Sequence, residues 1–278
     1  MTVHGSVSFG PRLIVTPTGR LRAALLVQPS RNIEKASPVW GEPGAVYDRA
    51  LEQHEILRKT LEYFGVETTV VESRGSDPFE ISAGDSSVLF EDGAVLMRLT
   101  ALSRRAEVDR METEFARLDV PLAGHIAGPG LLDGNNVLLA GKIAFVGANV
   151  GGNELGRSGF EQVARSRGYQ VVEVKLASDV TALRAVAGAV ANDTIVVGAG
   201  KADPQAFAGF RTIVVELGEA QAAGVLTLGE RHVLADIRYR TALGAMRRAG
   251  VKVEAIDLYE FTKLGLTPSM LTLALARE

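Results

Sequence analysis

Leu132-Asp-Gly-Asn-Asn-Val-Leu-Leu-Ala-Gly-Lys-Ile-Ala-Phe-Val-Gly147 decides how the chain folds. Two short β-rich runs, 137–140 and 143–146, face each other across Gly141-Lys142, the pattern of a tight hairpin. A polar loop, Asp133-Gly134-Asn135-Asn136, precedes the first run. A glycine-rich stretch carrying Asn149 follows the second. Beyond it the spacing predicts a helix over 154–167, a stop at Gly168 and a lone strand over 169–176.

The same plan recurs in both directions. Upstream, Asp92-Gly93 turns a hairpin of 88–90 and 94–99, ahead of a helix over 103–118 and a strand over 120–126. Downstream, Asn192-Asp193 joins a run from 190 to 194–197, then a short helix over 204–208 and a strand over 212–217. Gly229-Glu230 joins 225–228 to 232–236, then a helix over 239–249 and a strand over 251–258. That makes four units, and the chain ends supply a fifth. The last run, 270–276, can pair with 21–28, followed by an amphipathic helix over 46–64 and a strand over 66–72. On that helix Leu51, Leu57, Leu61 and Phe64 share a face, and His54 reads as a boundary residue. The turn centres Asp92, Gly141, Asn192 and Gly229 lie 49, 51 and 37 residues apart, a period that signals a repeat array. Closing the ring with the first and last strands removes its exposed edges. The expected fold is therefore α/β: a five-unit, pseudo-symmetric α/β propeller of hairpin–helix–strand units. It comprises a single domain over 21–278 behind a loosely organised lead-in over 1–20. The loop 29–44 carries Trp40, the only tryptophan, as a binding wall or as a plug of the core edge.

Composition narrows the chemistry. There is no cysteine, which excludes disulfides, thiolate-bound metal and thiol nucleophiles. The four histidines form no HxH or HxxxH pair, so neither a zinc site nor another cofactor is expected. A net charge of −3 and the lack of a basic stripe give no reason to expect nucleic acid. The arginines at 238, 240, 247 and 248 fall on a solvated helix. No apolar run approaches the roughly 18 residues of a membrane helix, and no basic-then-apolar leader opens the chain, so a cytoplasmic location is expected. In a ring of such units the strand-end loops converge on the axis. That places Asp85, Asp133, Asn136, Asn149 and the tail around 268–270 as candidates for one pocket.

These residues carry a resemblance. Ala50-Leu-Glu-Gln-His54, Gly84-Asp85-Ser-Ser-Val-Leu89, Arg98 with Ser103-Arg104-Arg105, Asp133-Gly-Asn-Asn-Val-Leu138 and Tyr259-Glu-Phe-Thr-Lys263 are similar to motifs of the guanidino-group-modifying enzymes. These are the dimethylarginine dimethylaminohydrolases and their arginine deiminase and amidinotransferase relatives. The resemblance spans about 21–275 and implies a five-unit propeller, an arginine-like small-molecule ligand and, as in many relatives, a homodimer. In that family a cysteine attacks the guanidinium carbon, a histidine moves protons, and carboxylates clamp the delocalised cation, a poor electrophile that needs anions to hold it. Carried over, Asp85 and Asp133 are the carboxylates, Arg98 holds the substrate carboxylate, and Asn136 stands where the motif has an aspartate. The cysteine position falls on Met270 beside Ser269. The histidine's neighbourhood falls at 179–182, which brings in Asp179. A second arginine falls near Gly151-Gly152, with Arg157 on the next helix as its stand-in.

Both catalytic groups are thus missing from the pattern, and two readings stand ahead of a third, weaker one, a purely structural ring protein. Asp85 and Asp133 can act as a carboxylate acid/base pair on a C–N bond without a covalent thiol step, because neighbouring carboxylates push each other's pKa values apart. Otherwise both are turn-capping residues and the chain is a pseudoenzyme, a ligand-binding or partner subunit on an enzyme's fold. Ser269 has no histidine within reach in sequence, which argues against a serine triad.

Overall fold

A computed structural model describes residues 13–39 and 41–278; Trp40 and the first twelve residues lie outside them. β6 (Val137–Ala140) and β7 (Ile143–Gly147) pair antiparallel across Gly141-Lys142. Gly141 takes φ +52°, the left-handed backbone that a two-residue hairpin turn demands and that glycine adopts without a Cβ penalty. α3 (Glu154–Arg165) then crosses over and β8 (Gln170–Val174) returns parallel to β7.

Four other three-stranded sheets follow this order. One has β3 (Ser87–Phe90), β4 (Gly93–Leu96), α2 (Ala106–Arg117) and β5 (Leu122–His125). The next has β9 (Ala187–Ala191), β10 (Thr194–Gly198) and β11 (Arg211–Val215), and its crossover is only a 3-10 turn at Pro204–Phe207. Another has β12 (Leu226–Gly229), β13 (His232–Asp236), α4 (Arg240–Arg248) and β14 (Lys252–Ile256). The fifth joins the chain ends: β15 (Thr272–Arg277) pairs antiparallel with β1 (Leu21–Val27), α1 (Tyr47–Tyr63) crosses over, and β2 (Glu67–Val71) lies parallel to β1.

The hairpin strands β3, β4, β9 and β10 are buried along their whole length, whereas outer strands such as β2 and β8 are exposed at their first and fourth residues and buried only at the last. This is why the former read as continuous apolar runs and the latter mix polar with apolar residues. The helices cover the ring's rim. α1 lays Ala50, Leu57 and Leu61 against it, and burying each leucine contributes about 2 kcal/mol. His54 is not at the boundary: it is buried within α1, and burial pulls its pKa down to about 4. The apolar run at the C-terminus also divides differently from the pattern. α5 (Tyr259–Thr262) and α6 (Pro268–Leu271) precede β15, so Met270 lies in a helical turn rather than a strand. An apolar run of this length fits either state.

Two ends of the ring differ. At one, a short helical turn precedes each inner strand: Ala83–Asp85, Gly134–Asn136, Leu183–Ala185, Leu217–Ala223 and α6. Each touches the next from the first to the fourth, and α6 closes onto the first and third. At the other end, the described part of the lead-in laces the hairpin turns together. Leu13 N donates to Glu91 O, Ile14 bridges to Arg277, and buried Thr18 sets its hydroxyl 2.9 Å from both Asn192 Oδ1 and Glu230 Oε2. Among the described residues no helix is long and apolar enough to cross a membrane, and no group of three His, Asp or Glu is placed to hold a metal ion.

Candidate active site

The helical turns at the axial end hold the acidic residues. Asp85 closes the turn Ala83–Asp85 and is buried. Its Oδ2 accepts from Arg104 Nη1 at 2.8 Å and its Oδ1 from the Asn135 amide at 3.3 Å. Arg104 is itself held by Glu107, with Nε and Nη2 donating at 2.8 and 2.9 Å. A buried arginine with two carboxylates on it is a permanent cation. Asp85 is thus already ion-paired before any ligand arrives.

Asp133 stands just before the next turn. Its two oxygens accept from Thr100 N at 2.7 Å and Thr100 Oγ1 at 2.6 Å. Burial, and after it the charge on Asp85, push the Asp133 carboxyl up to about 6 against those two hydrogen bonds. The two carboxylates therefore do lie within electrostatic reach. Gly151 caps this corner: its carbonyl accepts from Asp133 N at 2.8 Å and its φ is +56°. A Cβ there would fall 2.1 Å from Asn136 Nδ2 and 3.3 Å from Asp133 Oδ2, so neither the backbone nor the space admits a side chain.

Between the turns lies a group that the sequence pattern does not announce. Arg184, in the turn Leu183–Ala185, donates from Nη1 to Asn135 Oδ1 at 3.0 Å and from Nη2 to the Ser269 carbonyl. Fully buried Asn135 spends its Nδ2 on Ser82 Oγ at 2.8 Å. Gly84 makes room, because a Cβ on it would meet Asn135 Oδ1 at 2.3 Å and Arg184 Nη1 at 2.7 Å. The Ser269 hydroxyl is turned to backbone and neighbour, 3.3 Å from Arg184 O and 3.2 Å from Thr267 Oγ1. A guanidinium belonging to the chain thus sits beside Ser269 and Met270.

The remaining candidates divide. Arg98 lines the same side: its guanidinium lies against Gly128 and its Nη1 is 3.4 Å from Gly130 O, while its backbone bridges to Leu132. Five candidates stand apart from a ligand-facing role. Asn136 is fully buried, and its Oδ1 accepts from Leu183 N at 2.9 Å while Nδ2 bonds Val150 O; it ties two loops rather than facing the pocket. Asn149 closes both its ends on the Leu176 backbone at 3.0 Å, as a cap on the outer strand β8. Arg157 turns outward to Glu173 at 3.0 Å. Asp179 is exposed and paired with Lys201. Met270 packs in the main apolar cluster with Leu176, Phe207 and Phe261. The described histidines also lie elsewhere: His54 inside α1, His125 at the end of β5, and His232 on Glu254 at 2.8 Å.

Arg184 and Asn135 were absent from the candidates. The repeat itself holds the signal, since Leu183-Arg184-Ala185 precedes β9 as Ala83-Gly84-Asp85 precedes β3.

A ring of five such sheets, with polar turns meeting at one end, is the propeller of the guanidino-modifying superfamily. No protein-family model matches the chain. It is 31% identical over 220 residues to the dimethylarginine dimethylaminohydrolase of Streptomyces coelicolor, covering 77% of this chain and 81% of that protein. The chain belongs to the dimethylarginine dimethylaminohydrolase family. Solved structures share its fold. One is a mutant of the Pseudomonas aeruginosa dimethylarginine dimethylaminohydrolase complexed with citrulline (TM-score 0.82, 20% identity, 91% of this chain and 99% of that one). Another is the amidinotransferase SxtG from Microseira wollei (TM-score 0.80, 12% identity, 97% and 98%).

Proposed function

We propose that this chain is a non-hydrolytic member of its family that binds a small amino-acid-like molecule at the axial end of the ring. One observation carries the reading: the Arg184 guanidinium lies on Asn135 Oδ1 and the Ser269 carbonyl, so the chain itself places a cation among the family's motif positions. Three further facts support it. Asp85 is committed to Arg104, Asp133 to Thr100, and among the described residues no imidazole is bonded to Ser269 to activate it. A second guanidinium entering here meets like charge. A ligand whose far end is neutral and accepts hydrogen bonds, such as the ureido group of citrulline, meets the Arg184 donors instead, with Arg98 for its carboxylate. Citrulline is the molecule bound in the Pseudomonas relative.

Isothermal titration with citrulline and with arginine tests this. Citrulline binding the tighter of the two, with no citrulline or ammonia released from arginine, dimethylarginine or agmatine, supports the proposal. Arginine binding tighter, or turnover of any of the three, sinks it.

A second reading has its own observation. Asp133, held near pH 6 and facing Asp85, is placed as a proton carrier for a carboxylate-based reaction on a C–N bond. Turnover that rises with a pKa near 6 and disappears in Asp133→Asn would favour it. The family resemblance also carries over a cytoplasmic homodimer, which sedimentation and cell fractionation test.

A further inference from the structure

A cavity of about 110 Å³ runs along the axis of the ring between the inner strands of its units. Its lining mixes apolar side chains with polar groups, among them Arg184 toward the site end and Arg277 toward the hairpin turns. Ile14 and Pro17 of the lead-in close the turn end. Among the described residues that line it, none is acidic.

Two arginines in such a place need explaining. Arginine stays charged under ordinary conditions, and a buried charge is costly unless it is paired. Arg277 is buried; its Nη1 donates to Gly19 O at 3.0 Å, and Arg184 ends on an amide oxygen and a carbonyl. These are dipoles, not counter-charges. Burial lowers the pKa of Arg184 to about 10, with Asp85 opposing, and burial followed by the charge of Arg184 lowers that of Arg277 to about 9. The two cations therefore repel each other across the cavity. Asp85 is the carboxylate that acts on Arg184, and it is spent on Arg104 at 2.8 Å. An independent observation points the same way. Ser87, 1% exposed and on the inner strand beside the cavity, keeps a buried hydroxyl with no hydrogen-bond partner among the described residues, whereas the Thr227 hydroxyl bonds Ala189 O.

We propose that this axial cavity is a binding site for a small inorganic anion, held between Arg184 and Arg277. The size agrees: one water needs roughly 10–15 Å³ of such space, so the cavity has room for a halide, nitrate or phosphate with part of its hydration shell. The anion would act as a structural counter-ion that neutralises the ring's centre and couples the lead-in, whose Gly19 carbonyl holds Arg277, to the turn that carries Arg184. The inference shares Arg184 with the functional proposal but does not need the chain to be inactive. Hydrolysis of a guanidine would overturn that proposal and leave this one standing.

The test uses the full chain. Melting is followed at constant ionic strength while chloride, nitrate or phosphate replaces gluconate, an anion too large for the cavity, and crystals grown in bromide are examined for anomalous scattering. The expected result is a saturable rise of several degrees in Tm with the small anions and a bromide peak on the axis between the two guanidinium groups. Arg277→Met, of similar bulk and uncharged, should remove the anion-dependent rise. Equal Tm in gluconate and in the small anions, with no axial bromide peak, would overturn the proposal. So would an Arg277→Met variant that keeps the full rise. If that variant does not fold, the bromide peak in the unmodified chain decides.

Discussion

Buried Lys263 and the pair of half-buried Arg184 and buried Arg277 are cations of one ring, and they are handled in opposite ways. Lys263 is 3% exposed, and its Nζ lies 2.6 Å from Glu260 Oε2, one helical turn away on and just past α5. The same carboxylate oxygen accepts from Val46 N at 2.7 Å, so a single acid neutralises the lysine and caps the start of α1. The axial arginines have no acid on their cavity wall among the described residues. His54 shows a third solution, burial as the neutral imidazole. A buried charge with a local carboxylate is a fixed structural tie. A buried charge facing open space is available to something from outside.

The largest effect should come from cutting the tie. Glu260→Ala leaves Lys263 buried and unpaired and uncaps Val46, and should cost about 3–5 kcal/mol in denaturant unfolding. A cost below about 1 kcal/mol would mean that Lys263 finds another partner and that the contrast with the axis is false.

His54 should make the protein acid-sensitive. Its pKa falls from 6.5 to about 4 on folding, so the unfolded chain takes the proton first. The stability is present above pH 6.5 and is lost as pH falls toward 4, by up to about 3 kcal/mol. His54→Leu should abolish that loss, which parallel melts of the two proteins at pH 7.5 and 4.5 would show.

Asp133 works in the other direction. Its pKa is raised from 3.8 to about 6, so stability is present below about pH 4 and is lost as pH rises through 6. Asp133→Asn keeps an acceptor for the Thr100 amide and removes the charge. It should melt higher than the parent at pH 8, by about 2 kcal/mol of stability, with the gain gone at pH 4. A gain independent of pH would show that burial and the charge on Asp85 do not raise the Asp133 pKa.

The smallest effect tests the closed end of the cavity. Thr18→Val removes a buried hydroxyl bonded toward Asn192 and Glu230 and should cost about 1 kcal/mol. It should also loosen the lead-in, seen as faster amide exchange at residues 13–20 with the rest of the ring unchanged.

The site was legible in part, for specific reasons. Asp85 and Asp133 stand in short polar stretches that interrupt apolar runs, so their position at strand starts was readable. The sequence points to Asn136 for the pocket, but Asn135 makes the contact with Arg184. In a 3-10 turn, successive side chains point about 120° apart, and a one-residue choice there depends on geometry that the pattern lacks. Arg184 sits in an alanine- and valine-rich stretch where an isolated arginine reads as a surface charge. Arg157 and Asp179, chosen for lying near motif positions, turn outward to Glu173 and Lys201, because the outer strands and loops offer opposite charges nearer than the axis.

The amino-acid sequence by itself determined the five units, their hairpin turns, the closure of the ring by its two ends, and the absence of any thiol. These depend on local periodicity, turn chemistry and composition, which act over a few residues at a time. Only the tertiary structure decided that Arg184 fills the axial end, that Asp85 is already paired, and that two arginines share an axial cavity without an acid on its wall. Those outcomes depend on side chains nearly a hundred residues apart arriving at one point. There, burial makes each unpaired charge count far more than it does along the chain.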